Sequence, residues 1–207
     1  MRQQYEPVLV PVPILSLRPT QITVGRHEVE RKRSEIRQLG DEQWPGYLGR
    51  HMIPVVIGPK DRYYIIDNHH LSLALHLEGI EQVLITSVAD VSKLSKISFW
   101  HYMDARNWLH PFDAEGVRQP YDALPKSVDG LIDDPYRSLA GAVRDAGGFA
   151  KDPTPYSEFL WADFLRERVP PDLLRTDFAA AIAQGTRLAR TGEADYLPGW
   201  CRSQPWS

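Results

Sequence analysis

The chain has 207 residues, of which 43% are hydrophobic and 25% charged, with a net charge of −3. That length supports one sizeable core, or a core with an appended lobe, and the single cysteine, Cys201, excludes an intrachain disulfide and a cysteine-based zinc site. The negative balance excludes a global positive field toward nucleic acid or an anionic membrane, leaving only local basic patches, and the longest apolar runs fall far short of the roughly 18 residues that span a bilayer.

At the N-terminus, Glu6 and three prolines interrupt the stretch where the apolar segment of a signal peptide would lie. The expected compartment is a reduced, cytoplasmic one. Val8 to Leu17 (VLVPVPILSL) alternates apolar residues with proline, which lacks a backbone donor, so it reads as an edge strand. Arg18 to Gln21 is a turn, and His27 to Leu39 reads as a helix with Val29, Ile36 and Leu39 near one face and Gly40 as its stop. A loop rich in glycine and aromatics follows. Pro54–Ile57 and Arg62–Ile66 form a hairpin across Gly58 to Asp61. His69 to Leu77 is a largely apolar, buried helix ended by Gly79, and Gln82–Val88 is a further strand. The order β, α, β, β, α, β implies a compact α+β unit around one central buried helix.

The second half is helical. Ser92 to Leu109 carries an aromatic stripe of Phe99, Trp100, Tyr102 and Trp108, which reads as core. With Lys93, Lys96 and Arg106 beside them, the same rings are a type that stacks nucleobases. Residues 110–135 read as loop. A helix opens at Asp134-Pro135 and closes at Gly147-Gly148, a second covers TPYSEFLWADFLRERV, and a third covers DLLRTDFAAAIAQGTRLAR. A Gly/Pro/Trp tail, expected to be poorly ordered, ends the chain.

The chemistry concentrates at Asp67-Asn68-His69-His70, where a strand meets a helix. A helix N-terminus presents unpaired N–H groups and the positive end of a dipole, so it accepts anions. Adjacent helical residues point about 100° apart, so one imidazole is expected to face the pocket and the other to pack. Three readings stand side by side. Asp67 or Asn68 caps the helix and the histidines are ordinary junction residues. Or the first-turn amides hold a phosphate that a histidine contacts or protonates. Or Asp67, one histidine and a carboxylate from the Glu28/Glu30 helix hold a hard metal ion. No HExxH spacing supports the last.

The order of elements and the residues Leu17-Arg18-Pro19-Thr20-Gln21, Val24-Gly25, His27-Glu28-Val29 and Ile66-Asp67-Asn68-His69-His70 resemble the ParB/sulfiredoxin superfamily. Together with Asp134-Pro135-Tyr136-Arg137-Ser138 and Gly147-Gly148-Phe149, they are most similar to its "putative ParB-like nuclease" group. The resemblance implies a pocket for nucleotide phosphates at the strand-to-helix box. The box departs from its relatives. ParB proteins carry arginines where this chain has His70-Leu71, sulfiredoxins carry a cysteine at the position of His69, and the free serine kinases carry arginine for Leu71 and a glutamate where Gln21 stands.

The expected fold is therefore α+β: a ParB/sulfiredoxin-like small mixed sheet with a buried central helix over residues 1–90, a helical lobe over 91–195 packed on it, and a tail over 196–207. The expected function is that of a ParB-like nuclease-family protein binding a nucleotide or phosphate ester at the junction, with phosphoryl transfer or phosphodiester hydrolysis as its chemistry. A non-catalytic nucleotide-binding regulatory module is the alternative. His70, His69, Asp67 and Glu28 are the candidate catalytic residues. Asn68, Gln21, Thr20, Arg26, Arg137 and Ser138 are the candidate phosphate contacts, and Asp67 the candidate Mg2+ ligand. The expected partner is a small phosphorylated ligand, with little support for nucleic acid and none for a membrane.

Overall fold

β-Branched and aromatic residues build the first sheet, and a computed structural model describes it within residues 6–201. Strands β1 (Glu6–Pro13), β2 (Arg18–Pro19), β4 (Ile53–Gly58), β5 (Arg62–Ile65) and β6 (Gln82–Asp90) form one mixed sheet in the order β1-β6-β4-β5-β2. A short strand β3 (Thr23–Val24) lies outside it. β4 and β5 are the expected hairpin, antiparallel, with Val55 opposite Ile65 and Gly58 opposite Arg62. β2 runs parallel to β5, with Arg18 opposite Tyr64. The proline-rich first strand is an edge, as a strand missing backbone donors should be.

Successive strand residues point to opposite faces, and each face of this sheet is covered. Val55 and Ile65 join a core with Val29 and Ile36 of α1 (Arg26–Arg37) and with Leu71, Ala74 and Leu75 of α3 (His69–Leu77). Their neighbours Val56 and Tyr64 face the other way, onto Phe99, Trp100 and Met103 of α4 (Lys96–Ala105). The fold is α+β.

The chain divides into two compact units, Met1–Ile132 and Asp133–Ser207. The division falls after Ile132 rather than after residue 90, because α4 lays its aromatic side chains on the sheet and so belongs to the first unit. α4 is also shorter than expected. Ser95 starts it by accepting the Ser98 N–H at 3.2 Å, and Asn107 follows it with φ 53°, a left-handed conformation that stops a helix. The expected loop after Gly40 contains α2 (Trp44–Arg50), whose two glycines and lack of apolar period conceal it in the sequence.

The second unit has its own core, with Leu139, Val143, Trp161, Phe164 and Leu165 buried in it. It comprises α5 (Pro135–Asp145), α6 (Ser157–Arg166), α7 (Pro171–Thr176) and α8 (Phe178–Ala189). The last two were expected as one helix. Asp177 separates them: its backbone is extended, with φ −151°, and its carboxylate caps α8 by accepting the Ala180 N–H at 2.9 Å. Residues 196–201 of the expected loose tail are held in place. Ala150 N–H donates to Gly199 O at 2.8 Å and Trp161 Nε1 to Pro198 O at 2.8 Å. Gly199 has φ 75° and approaches so closely that a Cβ there would stand 2.1 Å from Ala150 O. Residues 202–207 lie outside the described residues. Among the described residues, no helix is long and apolar enough to cross a membrane.

Candidate functional site

The junction between β5 and α3 is built by Asn68. Its φ of 65° and ψ of 27° are left-handed values that asparagine tolerates better than most residues, and they reverse the chain from strand into helix. Asp67 supports the turn by accepting the Asn68 N–H at 2.6 Å. Asn68 stands at the N-cap position of α3, but its side chain does not cap the helix. Its Nδ2 instead lies 3.4 Å from Met52 O. The expectation that Asn68 accepts from the first-turn amides is corrected accordingly.

Both imidazoles point to one loop. His69 is buried, and its Nε2 accepts the Thr20 N–H at 3.1 Å. The half-buried His70 accepts the Gly25 N–H with its own Nε2 at 3.0 Å. A backbone N–H can only donate, so each Nε2 is unprotonated and each ring carries its proton on Nδ1. The sequence suggested one imidazole for the pocket and one for packing. Instead both pin the 20–25 loop to the first turn of α3, through bonds spanning 49 and 45 residues. Thr20, expected as a phosphate contact, is buried, and its hydroxyl donates to Ile65 O at 2.6 Å. Gln21 is buried as well, and its amide donates to Thr23 O at 2.8 Å.

The loop leads directly into α1. Gly25 is the N-cap residue of α1 and His70 the second residue of α3, so the His70–Gly25 bond joins two helix N-termini. At the other ends, Glu78, just past α3, accepts from Arg33 Nε at 2.6 Å and from Arg37 Nε at 2.7 Å, both on α1. The two helices therefore run side by side in the same direction, with their positive dipole ends together. Neither N-cap residue closes its helix with a side chain. Arg26, exposed, is the first residue of α1. Glu28 follows in that first turn, where Arg31 at 3.5 Å and Lys32 at 3.7 Å form ion pairs with it.

Arg137 and Ser138 belong to the second unit and are buried in it, at 7% and 4% exposure, so they are not open phosphate contacts. The Arg137 guanidinium lies 3.8 Å from the centre of the Phe159 ring and 3.4 Å from Glu158. Next to it, Asp134 caps α5 through the Tyr136 N–H at 2.9 Å and accepts from Arg166 at 2.7 Å. Burial pushes the Asp134 carboxyl above its ordinary range, while the Arg166 charge pulls it back. These residues hold helices together.

Among the described residues, no group of three His, Cys, Asp or Glu side chains stands where it could hold a metal ion. At the junction, the acceptor nitrogens of both histidines and one oxygen of Asp67 are already occupied by backbone N–H groups. Among the described residues, the groups present do not form the donor set of the expected Mg2+ site.

The chain's relatives agree with this architecture. A solved structure described as "Crystal structure of protein Atu1540 from Agrobacterium tumefaciens" is similar to it at 53% identity and a TM-score of 0.89, covering 96% of this chain and 100% of that one. No curated protein matches. The family described as "Putative ParB-like nuclease" matches residues 10–167, which is most of the chain and spans the sheet, the junction and α5. The chain belongs to that ParB-like family.

Proposed function

We propose that this protein binds a phosphate ester, carried by a nucleotide or by a nucleic-acid end, where the N-termini of α1 and α3 meet. The observation behind this reading is the parallel pair itself, joined through His70 and Gly25 at 3.0 Å. Each N-terminus carries roughly half a positive charge, and two placed together repel unless an anion lies between them. Arg26 adds a full charge on the first turn of α1. The ParB-like family supports phosphate chemistry of the nucleotide kind.

The roles differ from those of a catalytic centre. The first-turn amides and Arg26 would hold the phosphate, and His69 and His70 would act as positioning residues that keep the 20–25 loop in place. Phosphoryl transfer or phosphodiester hydrolysis would require an imidazole Nε2 to give up its loop amide. Only His70 is exposed enough to do so, because His69 is 5% exposed. The occupied Nε2 atoms and the tied Gln21 amide therefore favour binding over turnover.

The test is thermal unfolding of the full chain with adenosine and cytidine nucleotides and a 5′-phosphorylated dinucleotide, with and without Mg2+, alongside an assay for released phosphate. A ligand at 100 times its dissociation constant should stabilise the fold by about 2.7 kcal/mol. Arg26→Glu should reduce that gain, and no product should accumulate. The absence of stabilisation by every ligand would sink the phosphate reading. Product formed by the natural chain and lost in His70→Ala would replace binding with catalysis.

A further inference from the structure

The sheet face opposite the two helices carries a cavity of about 320 Å³. Its wall is aromatic. Tyr64 and Trp100 meet edge to face with centroids 5.4 Å apart, and Trp100 stacks on Tyr121 at 5.5 Å. The rings are held firmly, since the Tyr121 hydroxyl donates to Asp104 at 2.9 Å. Phe99 closes the floor. Gly58 passes so near it that a Cβ there would stand 2.6 Å from the Phe99 ring and 2.7 Å from Tyr64. Trp100 is 9% exposed, and its buried indole N–H meets no acceptor among the described residues.

The rim is cationic. Arg18, Lys60, Arg62 and Lys126 line the cavity and form no ion pair among the described residues. A fifth cation, Lys96, is bound at 2.6 Å to Asp122, the one carboxylate of the lining. Lys60 reaches the rim from a turn in which it and Asp61 both hold left-handed backbone, with φ of 64° and 53°. This backbone closes the β4–β5 hairpin, as left-handed residues commonly do in such turns. Unpaired like charges converge here on a chain whose net charge is −3.

We infer that this cavity is a binding site for a nucleoside phosphate, with the base against the aromatic wall and the phosphate among Arg18, Lys60, Arg62 and Lys126. Cations that form charge-assisted hydrogen bonds with phosphate, beside rings that accept a planar base without regard to its identity, are the two halves of nucleotide recognition. A volume near 320 Å³ lies at the small end of ligand pockets, which suits one nucleotide and excludes a duplex. The nucleotide is either free or one unit of a single strand. The site is separate from the α1–α3 N-termini, because Tyr64 and Ile65 project to opposite faces of the sheet.

The experiment measures fluorescence anisotropy of a labelled tetrathymidylate on the full chain, with thymidine monophosphate, thymidine and inorganic phosphate as competitors. Arg62→Glu and Lys126→Glu, both at exposed positions, should each weaken the probe by about tenfold, and Tyr121→Leu should weaken it without changing the charge. Lys151→Glu makes the same charge reversal at an exposed position outside the cavity lining and should leave binding within about twofold. Displacement by thymidine monophosphate at concentrations comparable to the strand assigns the site to free nucleotides. A preference of about tenfold or more for the strand assigns it to single-stranded nucleic acid. Three outcomes overturn the inference: no binding, equal losses in Lys151→Glu and Arg62→Glu, or displacement by inorganic phosphate as effective as by the nucleotide. Loss in Arg26→Glu alone would also overturn it while supporting the α1–α3 site.

Discussion

His69 shows how one side chain can organise a site without performing its chemistry. Its ring is buried, and its Nε2 is the acceptor for the Thr20 N–H, which is itself buried. Replacing His69 with alanine leaves that N–H without a partner, at a cost of about 1–3 kcal/mol before any cavity term. His70→Ala should cost less, because its bond to Gly25 is only partly buried, the His70 ring being half-buried. Urea unfolding of the two variants checks this ordering. A loss within about 0.5 kcal/mol for His69→Ala, the range of an ordinary surface change, would show that the loop is held by something else. The Asp-Asn-His-His string was legible in the sequence as a place where chemistry or capping concentrates. The destination of each ring was not, because its partner amide lies more than forty residues away and is a backbone group, which leaves no mark in the sequence.

The pair α1 and α3 is held in register by Glu78. Hydrogen bonds from Arg37 and then Arg33 keep its carboxyl below the ordinary glutamate range, against burial, which pushes it up. A carboxyl with a lowered folded value contributes stability that is present above the ordinary glutamate range and is lost as pH falls through the lowered value. Glu78→Gln should therefore melt below the natural chain at neutral pH, and the gap should close on acidification through that window. Melting curves across a pH series check it. A gap that persists unchanged into strong acid would mean that the glutamine fails for a reason other than charge. The same clamp is what aligns the two N-termini, so Glu78→Gln should also weaken phosphate binding at the far end of the pair. Both helices were legible from their apolar spacing. Their parallel alignment was not, since Arg33 and Arg37 meet Glu78 only across 45 and 41 residues of chain.

For the molecule as a whole, net charge and local charge point in different directions. A chain at −3 should bind nucleic acid only through a small patch, and the four unpaired cations around the aromatic cavity are such a patch. Single-strand binding falls with log salt at a slope of about −0.7 per phosphate engaged, so a one-nucleotide site, touching one or two phosphates, should show a slope between about −0.7 and −1.4. Anisotropy titrations over a salt series read the slope directly. A value near −6 or steeper would indicate an extended basic track that this surface does not offer. The division after Ile132 also belongs to this scale. Trp100 and Phe99 were read correctly as core from their spacing, but the sheet face they cover, and hence the unit they join, depends on strand alternation in β4 and β5.

The sequence by itself determined the α+β class, the edge character of the first strand, the β4–β5 hairpin, the buried α3 and the strand-to-helix junction at Asp67–His70. These follow from local periodicity, proline and glycine placement and turn chemistry, which act within a few residues. Tertiary structure alone decided that both imidazoles hold the 20–25 loop, that Gln21 and Thr20 are buried, that Arg137 is spent inside the second unit, and that Arg18, Arg62 and Lys126 surround one aromatic cavity. Those outcomes depend on burial and on hydrogen bonds between distant segments. They are set only when the sheet has brought residue 18 beside residue 64 and residue 20 beside residue 69.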